Sequence, residues 1–261
     1  MTSNPLFSFR GIYGNTRLPS LDSGTSHAFD LRSPGMAQRI FERNASVCIF
    51  VEHAISSWTN LSAQLPGWDA RQPLARTVAW NTNVWTFVEM RDWPQAGTSK
   101  DVLMVKLYYM GNPNWWCWFV SAHPNAGYDS AAMTLRSQQG LDEIAAVASL
   151  GTDRWIFYSD QNEYIGGPGD CYTNKKAAGW MYHQEEPRLQ LANRNFATYK
   201  GWPGASDYVP IGSNDPTQKI DYVYKSSKGV HALKHTAGEI VPLWGDESDH
   251  NWICLTTQVI R

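Results

Sequence analysis

The sequence predicts an α/β (α+β) chain arranged in four layers, α-β-β-α, with two mixed or antiparallel sheets packed face to face and flanked by helices. Three observations predict it. Apolar runs of strand length recur along the chain, the clearest being the unbroken Val47-Cys48-Ile49-Phe50-Val51. Hairpin-type turn signals such as Gly111-Asn112-Pro113-Asn114 join some of these runs, while helical segments separate others. Leu141, Ile144, Ala145 and Ala148 fall at i, i+3, i+4 and i+7, the stripe of a helix laid on a sheet, with Gly151 placed to end it.

In chain order, Leu6 to Tyr13 reads as a first strand ending at Gly14-Asn15, and a polar stretch then leads to a helix near Pro34 to Arg43. The buried strand at Val47–Val51 delivers Glu52-His53 at its end. Thr77 to Met90, Val102 to Met110 and Trp115 to Ala122 read as an antiparallel meander. After the Leu141 helix, Trp155 to Tyr158 is a short buried strand ending in Ser159-Asp160-Gln161-Asn162, and a long Gly/Pro-rich loop follows. Two strands close the chain, Ile220 to Tyr224 and Trp252 to Val259, the second directly after Ser248-Asp249-His250.

Composition sets the class. The 261 residues suffice for one substantial core, and no linker interrupts them, so a single domain over 1–261 is expected. At 43% apolar and 18% charged the chain is globular rather than disordered. The net charge of −2 gives no general attraction for nucleic acid, so any affinity for phosphate has to be local, as a bound divalent cation would make it. The four cysteines form no CxxC pair, and no disulfide is inferred. Met1 to Arg10 has no secretory pattern and no apolar run is long enough to span a bilayer, so synthesis in the cytoplasm without integral membrane contact is expected, with delivery as an effector left open.

Taken singly, each polar cluster is ordinary. Their shared placement is the signal: Asn15, Glu52, His123, Asp160, Asn162 and Asp249-His250 all fall where strands end or begin, and a layered sheet would gather them at one rim. The ordered series Gly14-Asn15, Val51-Glu52, Ser121-Ala122-His123-Pro124-Asn125-Ala126-Gly127, Ser159-Asp160-Gln161-Asn162, Lys219-Ile220-Asp221-Tyr222-Val223 and Ser248-Asp249-His250 resembles the endonuclease/exonuclease/phosphatase superfamily, which includes deoxyribonuclease I-like enzymes, apurinic-site endonucleases and the catalytic subunit of cytolethal distending toxin. The resemblance spans nearly the whole chain. It departs in three places: Ser159-Asp160-Gln161-Asn162 replaces the superfamily's Gly-Asp-Phe-Asn, Val51 stands for the Gln before the metal-binding Glu, and Ala122 for the Thr before the His.

The resemblance implies divalent-metal-dependent hydrolysis of phosphodiester bonds, with DNA as substrate. Glu52, with Asn15 and Asp249 completing or orienting the shell, would hold Mg²⁺, with Mn²⁺ or Ca²⁺ as alternatives. His250 would serve as general base or phosphate ligand with Asp221 fixing its tautomer, and His123 as acid or oxyanion stabiliser. Asp160 and Asn162 would align the attacking water, and Asn125 would add a phosphate hydrogen bond. Glu89 is the candidate to back His123.

The other histidines, His27, His53, His183, His231 and His235, have no metal-ligand spacing and stay unassigned. Among the thirteen tryptophans, Trp116 and Trp118 read as core, and Trp115 as a candidate stacking platform. Two alternatives share the same residues: a phosphatase or phosphodiesterase acting on a phospholipid or inositol phosphate, and an inactive binding or assembly module. Oligomeric state is not legible.

Overall fold

The computed structural model describes residues 5–17, 21, 28–97, 101–127, 129–167, 170–186, 189–192, 197–199, 201, 217, 219–228, 233–243 and 248–260. The strands are β1 Pro5–Asn15, β2 Val47–Val51, β3 Trp68–Arg71, β4 Arg76–Asn81, β5 Trp85–Trp93, β6 Val102–Tyr109, β7 Trp116–Ala122, β8 Trp155–Asp160, β9 Trp180–Tyr182, β10 Gln190–Ala192, β11 Asp221–Ser226, β12 Leu233–Val241 and β13 Trp252–Ile260. The helices are α1 Phe29–Glu42, α2 Ile55–Ser62, α3 Ser130–Ala148 and α4 Cys171–Ala177, with a 3-10 turn at His183–Glu185.

One sheet has seven strands in the order β10-β12-β13-β1-β2-β4-β3, and the other six in the order β5-β6-β7-β8-β11-β9. Each contains one parallel pair whose crossover includes a helix, β1 with β2 through α1 and β7 with β8 through α3. That topology decides where the chemistry sits. Parallel neighbours end on the same side, so Asn15, Glu52, His123 and Asp160 leave the C-terminal ends of four central strands. β11 and β13 run antiparallel to β8 and β1 and so begin at that rim, where they bring Asp221 and His250.

Three apolar layers hold the architecture together. Alternation along the strands sends Tyr13, Ile49, Val78, Phe119, Ile156 and Val223 between the sheets, and Ile12, Phe50 and Trp252 outward against Met36 and Ile40 of α1. Val120, Phe157 and Tyr224 face the opposite way, against Ala146 and Val147 of α3. The expected four-layer sandwich is the observed fold. All four cysteines are free and buried, and burial raises their thiol pKa values, which leaves them as small core residues. No helix among the described residues is long and apolar enough to cross a membrane.

Several expected elements differ. The run from Thr77 to Met90 is two strands in different sheets, because Asn81 turns the chain by accepting from Asn83 N on its side chain (2.9 Å) and from Val84 N on its backbone (3.0 Å). The first helix begins at Phe29 with Pro34 inside it. Asp30 O, which a proline at 34 cannot serve, accepts the Ser33 hydroxyl at 3.2 Å.

The helix at Leu141 exists but buries a different face. Leu141 is 46% exposed, while Arg136, Gln139, Gly140, Glu143, Ala146 and Val147 face inward. A largely polar stripe is buried because each of its side chains is paired. The Gly/Pro-rich stretch contains α4, β9 and β10, and three strands rather than two close the chain, since β12 lies between Asp221–Ser226 and Trp252–Ile260.

Candidate active site

The site starts at Gly14. A Cβ there would lie 2.1 Å from Trp252 Cδ1, so only glycine lets the indole approach. Trp252 Nε1 and Ser248 Oγ both donate to Asn15 O, at 3.1 and 2.9 Å, and pin the end of β1. The Asn15 side chain is thereby aimed: Nδ2 donates to Glu52 Oε1 (3.1 Å) and to Asp160 Oδ2 (2.9 Å), while Oδ1 accepts from Arg17 N (2.7 Å). Glu52 leaves β2 with φ +54°, a left-handed conformation uncommon outside glycine and found at functional sites. His53 turns away into the core, hydrogen-bonded through Nδ1 to Thr16 Oγ1 at 3.0 Å, and burial with the nearby Arg32 takes its pKa down to about 3.

His123 follows β7 and is almost buried. Its Nε2 lies 3.0 Å from Asn162 Nδ2, 3.6 Å from Glu52 Oε1 and 3.7 Å from Asp160 Oδ2. Asn162 Nδ2 also donates to Pro124 O at 3.1 Å, which orients the amide. With the amide so oriented, Nε2 of a neutral His123 ring is the acceptor of that hydrogen bond. Asn162 adopts φ +50° and its backbone N–H holds Asp160 Oδ1 at 3.0 Å.

On the far side of Asp160, His250 Nδ1 donates to Asp221 Oδ2 at 2.8 Å, leaving Nε2 3.7 Å from Asp160 Oδ2. Asp221 Oδ1 accepts from Tyr158 Oη at 2.5 Å, and Thr198 Oγ1 accepts from the Ile220 and Asp221 backbone N–H groups, each at 3.1 Å. Burial opposes a charge on the His250 ring, but Asp221 and Asp160 more than offset it, so its pKa is raised. Burial and the neighbouring Asp221 raise the Asp160 pKa in turn.

Glu52, His123 and Asp160 place ligand atoms within 4.8 Å of one another, and so do Asp160, Asp221 and His250. The donor set fits a divalent cation. Two carboxylate oxygens converge from Glu52 and Asp160, and the buried Asp160 sits beside a second carboxylate with its charge disfavoured, a conflict that a cation resolves. Asp249 is in neither group, and its Oδ2 receives Arg17 Nη1 at 2.6 Å. Asn125 is exposed; its backbone N–H donates to Gln139 Oε1 (2.7 Å) and its carbonyl accepts from Arg136 Nη1 (3.2 Å). Above the cluster opens a cleft of about 700 Å³ lined by Arg17, Met133, Arg136, Tyr164, Tyr199 and Ile220 together with site residues.

Solved structures share this arrangement of chain. An endonuclease/exonuclease/phosphatase family protein from Bacteroides thetaiotaomicron superposes with TM-score 0.74 at 13% identity, covering 99% of this chain and 100% of that one. A mannosyl-6-phosphatase from the same organism gives TM-score 0.72 at 14% identity, over 95% and 99%. D. rerio TDP2, solved with a single-strand DNA product, gives 0.72 at 14%, over 96% and 98%. The fold is that of the endonuclease/exonuclease/phosphatase superfamily. No family profile and no curated protein matches the sequence.

Against the superfamily pattern, the three departures read as local accommodations. Val51 is buried between the sheets, Ala122 is buried in the outer layer under α3, and Gln161 accepts a hydrogen bond from Lys175 Nζ. Glu89 does not back His123: it lies on β5 and pairs with Arg91 at 2.6 Å on an exposed face. Trp115 stacks on Phe7 with ring centroids 6.0 Å apart, and is not a free platform. Trp118 is core as expected, whereas Trp116 is half-buried under Lys106 and Arg154. His183 and His235 are buried; His27 and His231 lie outside the described residues.

Sequence reasoning missed Arg17, Tyr158, Thr198, Ser248 and Trp252 as supports of the site. Arg17 and Ser248 were within reach by adjacency to named motif residues. Tyr158, in an apolar strand, carried no signal at all.

Proposed function

We propose that the chain is a divalent-metal-dependent phosphoesterase that cleaves phosphodiester bonds in DNA. The observation that carries the reading is the pair of contacts made by Asp160 Oδ2, which lies 3.7 Å from both His123 Nε2 and His250 Nε2, so that two imidazoles flank one carboxylate beside Glu52. A phosphate bound at the mouth of this cluster would have one imidazole on either side. Glu52 and Asp160 are the oxygens that would hold the cation, with Asn15 keeping both carboxylates in place. Bound there, Mg²⁺ or Mn²⁺ supplies charge neutralisation at a phosphoryl oxygen.

The residues divide the remaining work. His250, protonated through Asp221, donates from Nε2 to a non-bridging oxygen and stabilises charge as it develops. Asp160 and Asn162, joined through the Asn162 backbone N–H and Asp160 Oδ1, are placed to align the attacking water. Asn162 fixes His123 on the opposite side. Arg17 lies at the rim, and Tyr164 lines the cleft with an exposed ring on which an unpaired base can stack. The solved TDP2 complex with single-strand DNA product supports the choice of DNA, as does the resemblance of the motif series.

A second reading rests on the cleft itself. About 700 Å³ is the size of a small-molecule pocket, which favours a compact phosphomonoester, and one structural neighbour is a mannosyl-6-phosphatase. Hydrolysis rates for a single-stranded oligonucleotide, a duplex and a panel of sugar phosphates, each with Mg²⁺ and with EDTA, separate the two. Release from sugar phosphates alone would overturn the DNA reading.

A further inference from the structure

Beneath the site, α3 presents a buried polar face at i, i+3 and i+7. Arg136 Nη1 donates to the carbonyls of Asn125 and Gly127 at 3.2 and 3.0 Å. Gln139 receives Asn125 N at 2.7 Å and donates to Ala96 O at 2.8 Å. Glu143 Oε1 receives Gln95 Nε2 at 3.1 Å, and Glu143 Oε2 pairs with Lys175 Nζ at 2.5 Å, both side chains being 0% exposed.

Lys175 is the unexpected member. It comes from α4, in the stretch after β8 that the sequence reads as loop, and its ammonium lies 5.3 Å from the Phe157 and Tyr224 ring centroids and 5.8 Å from that of Trp180. A dry lysine among three rings is costly unless each donor is used. Its third interaction is the hydrogen bond to Gln161 Oε1, on the buried side chain between Asp160 and Asn162. This is the position where the superfamily pattern has Phe. A polar tether thus replaces an apolar plug under the loop whose Asn162 holds His123 and whose Asp160 meets both imidazoles.

We infer that Lys175 is a positioning residue: held by Glu143, it fixes Gln161 and through it the left-handed Asn162 that orients His123. The kinetic half of this inference rests on the phosphoesterase reading, while the structural half does not. Lys175 touches no reacting atom, so its loss leaves substrate binding intact and misplaces the groups that act in the transition state.

The test combines Lys175→Met, Gln161→Leu and Gln161→Glu in the full chain, with Lys176→Met on the same helix as a surface control. Ring ¹⁵N spectra of His123 report its hydrogen bond to Asn162 without any substrate. The expected result is that Lys175→Met and Gln161→Leu both displace the His123 Nε2 signal and lower kcat by ~10²-fold with KM within about twofold, a loss typical of ångström-scale misplacement. Gln161→Glu, which keeps an acceptor for the ammonium, retains the signal and most of kcat, and Lys176→Met is silent.

If Lys175→Met does not fold, Gln161→Leu, which leaves the Lys175–Glu143 pair in place, carries the test. An unmoved His123 signal in a folded Gln161→Leu protein overturns the inference. So does a Gln161→Glu protein as impaired as Gln161→Leu, because that would assign the effect to packing. If the wild-type protein hydrolyses nothing, the function reading fails and the spectra alone decide the tether.

Discussion

Tyr158 Oη donates to Asp221 Oδ1 at 2.5 Å, so the carboxylate that orients His250 through its other oxygen is held at both ends. Both partners are buried, and Tyr158 comes from β8, two residues before Asp160. One strand therefore supplies both a site carboxylate and the support of the neighbouring dyad.

Asp221→Asn removes the charge that keeps His250 protonated and reverses the hydrogen-bond requirement at Nδ1. The expected loss in kcat is ~10²–10⁴-fold. Tyr158→Phe keeps the dyad but frees one oxygen, so a smaller loss of about 10-fold is expected, with ~1–2 kcal/mol of stability. Steady-state kinetics and urea unfolding of the two variants check the order.

Gly14→Ala places a methyl 2.1 Å from Trp252 Cδ1, and the indole, buried against Phe50, has no room to retreat. A destabilisation of about 1–3 kcal/mol is expected. Because Trp252 Nε1 pins Asn15 O, activity should fall more than stability does. An alanine protein of unchanged stability and activity would contradict this account of the glycine.

Cation binding separates the two acidic groups at the rim. Glu52→Gln should weaken Mn²⁺ binding by calorimetry at least ~10-fold, and Asn15→Ala, through loss of its bridge to both carboxylates, by a similar factor. Asp249→Asn should change it little, since that carboxylate is engaged by Arg17. Equal losses at Glu52 and Asp249 would place the cation elsewhere.

His235 is buried beside Thr257, with Nδ1 3.0 Å from its Oγ1, and burial, Lys225 and His183 together hold its pKa well below the ordinary value. Its unfolded pKa is about 6.5. Below that pH the unfolded chain binds a proton that the folded chain refuses, so the stability it contributes is complete above about pH 6.5 and falls as pH drops, by up to ~1.4 kcal/mol per pH unit. His235→Gln should flatten that slope in urea titrations of chelated protein between neutral pH and the acid limb. An unchanged slope would show that the ring is protonated in the folded state.

Much of the site was legible because its residues occupy the one place a layered sheet reserves for them. Glu52 follows an unbroken apolar strand, Asp160 ends another, and His250 precedes a third, so strand ends point to a shared rim, while the roles expected there come from the resemblance of the motif series. The helix at Ser130–Ala148 was legible as a helix, but its inward face was not. Apolar periodicity locates a buried stripe only where burial is apolar, and here Arg136, Gln139 and Glu143 go inside to hold loops. β12 escaped because its alternation is short: Lys234 and Thr236 alternate with Leu233 and His235, but the register shifts between His235 and Ala237 and Gly238-Glu239 break the pattern, so ladder pairing to β13 rather than its own composition makes it a strand. Lys175 had no local signal, because its role depends on three rings and a carboxylate contributed by other elements.

Metal-dependent phosphodiester hydrolysis at the rim shared by Glu52, His123, Asp160 and His250 is tested by nicking of supercoiled plasmid by the purified protein in Mg²⁺ or Mn²⁺, alongside EDTA and the His250→Ala protein. The expected result is nicking that the chelator abolishes and that His250→Ala reduces by ~10²-fold or more. Nicking that survives both controls, or a protein inert on plasmid and on small phosphodiesters alike, would contradict it.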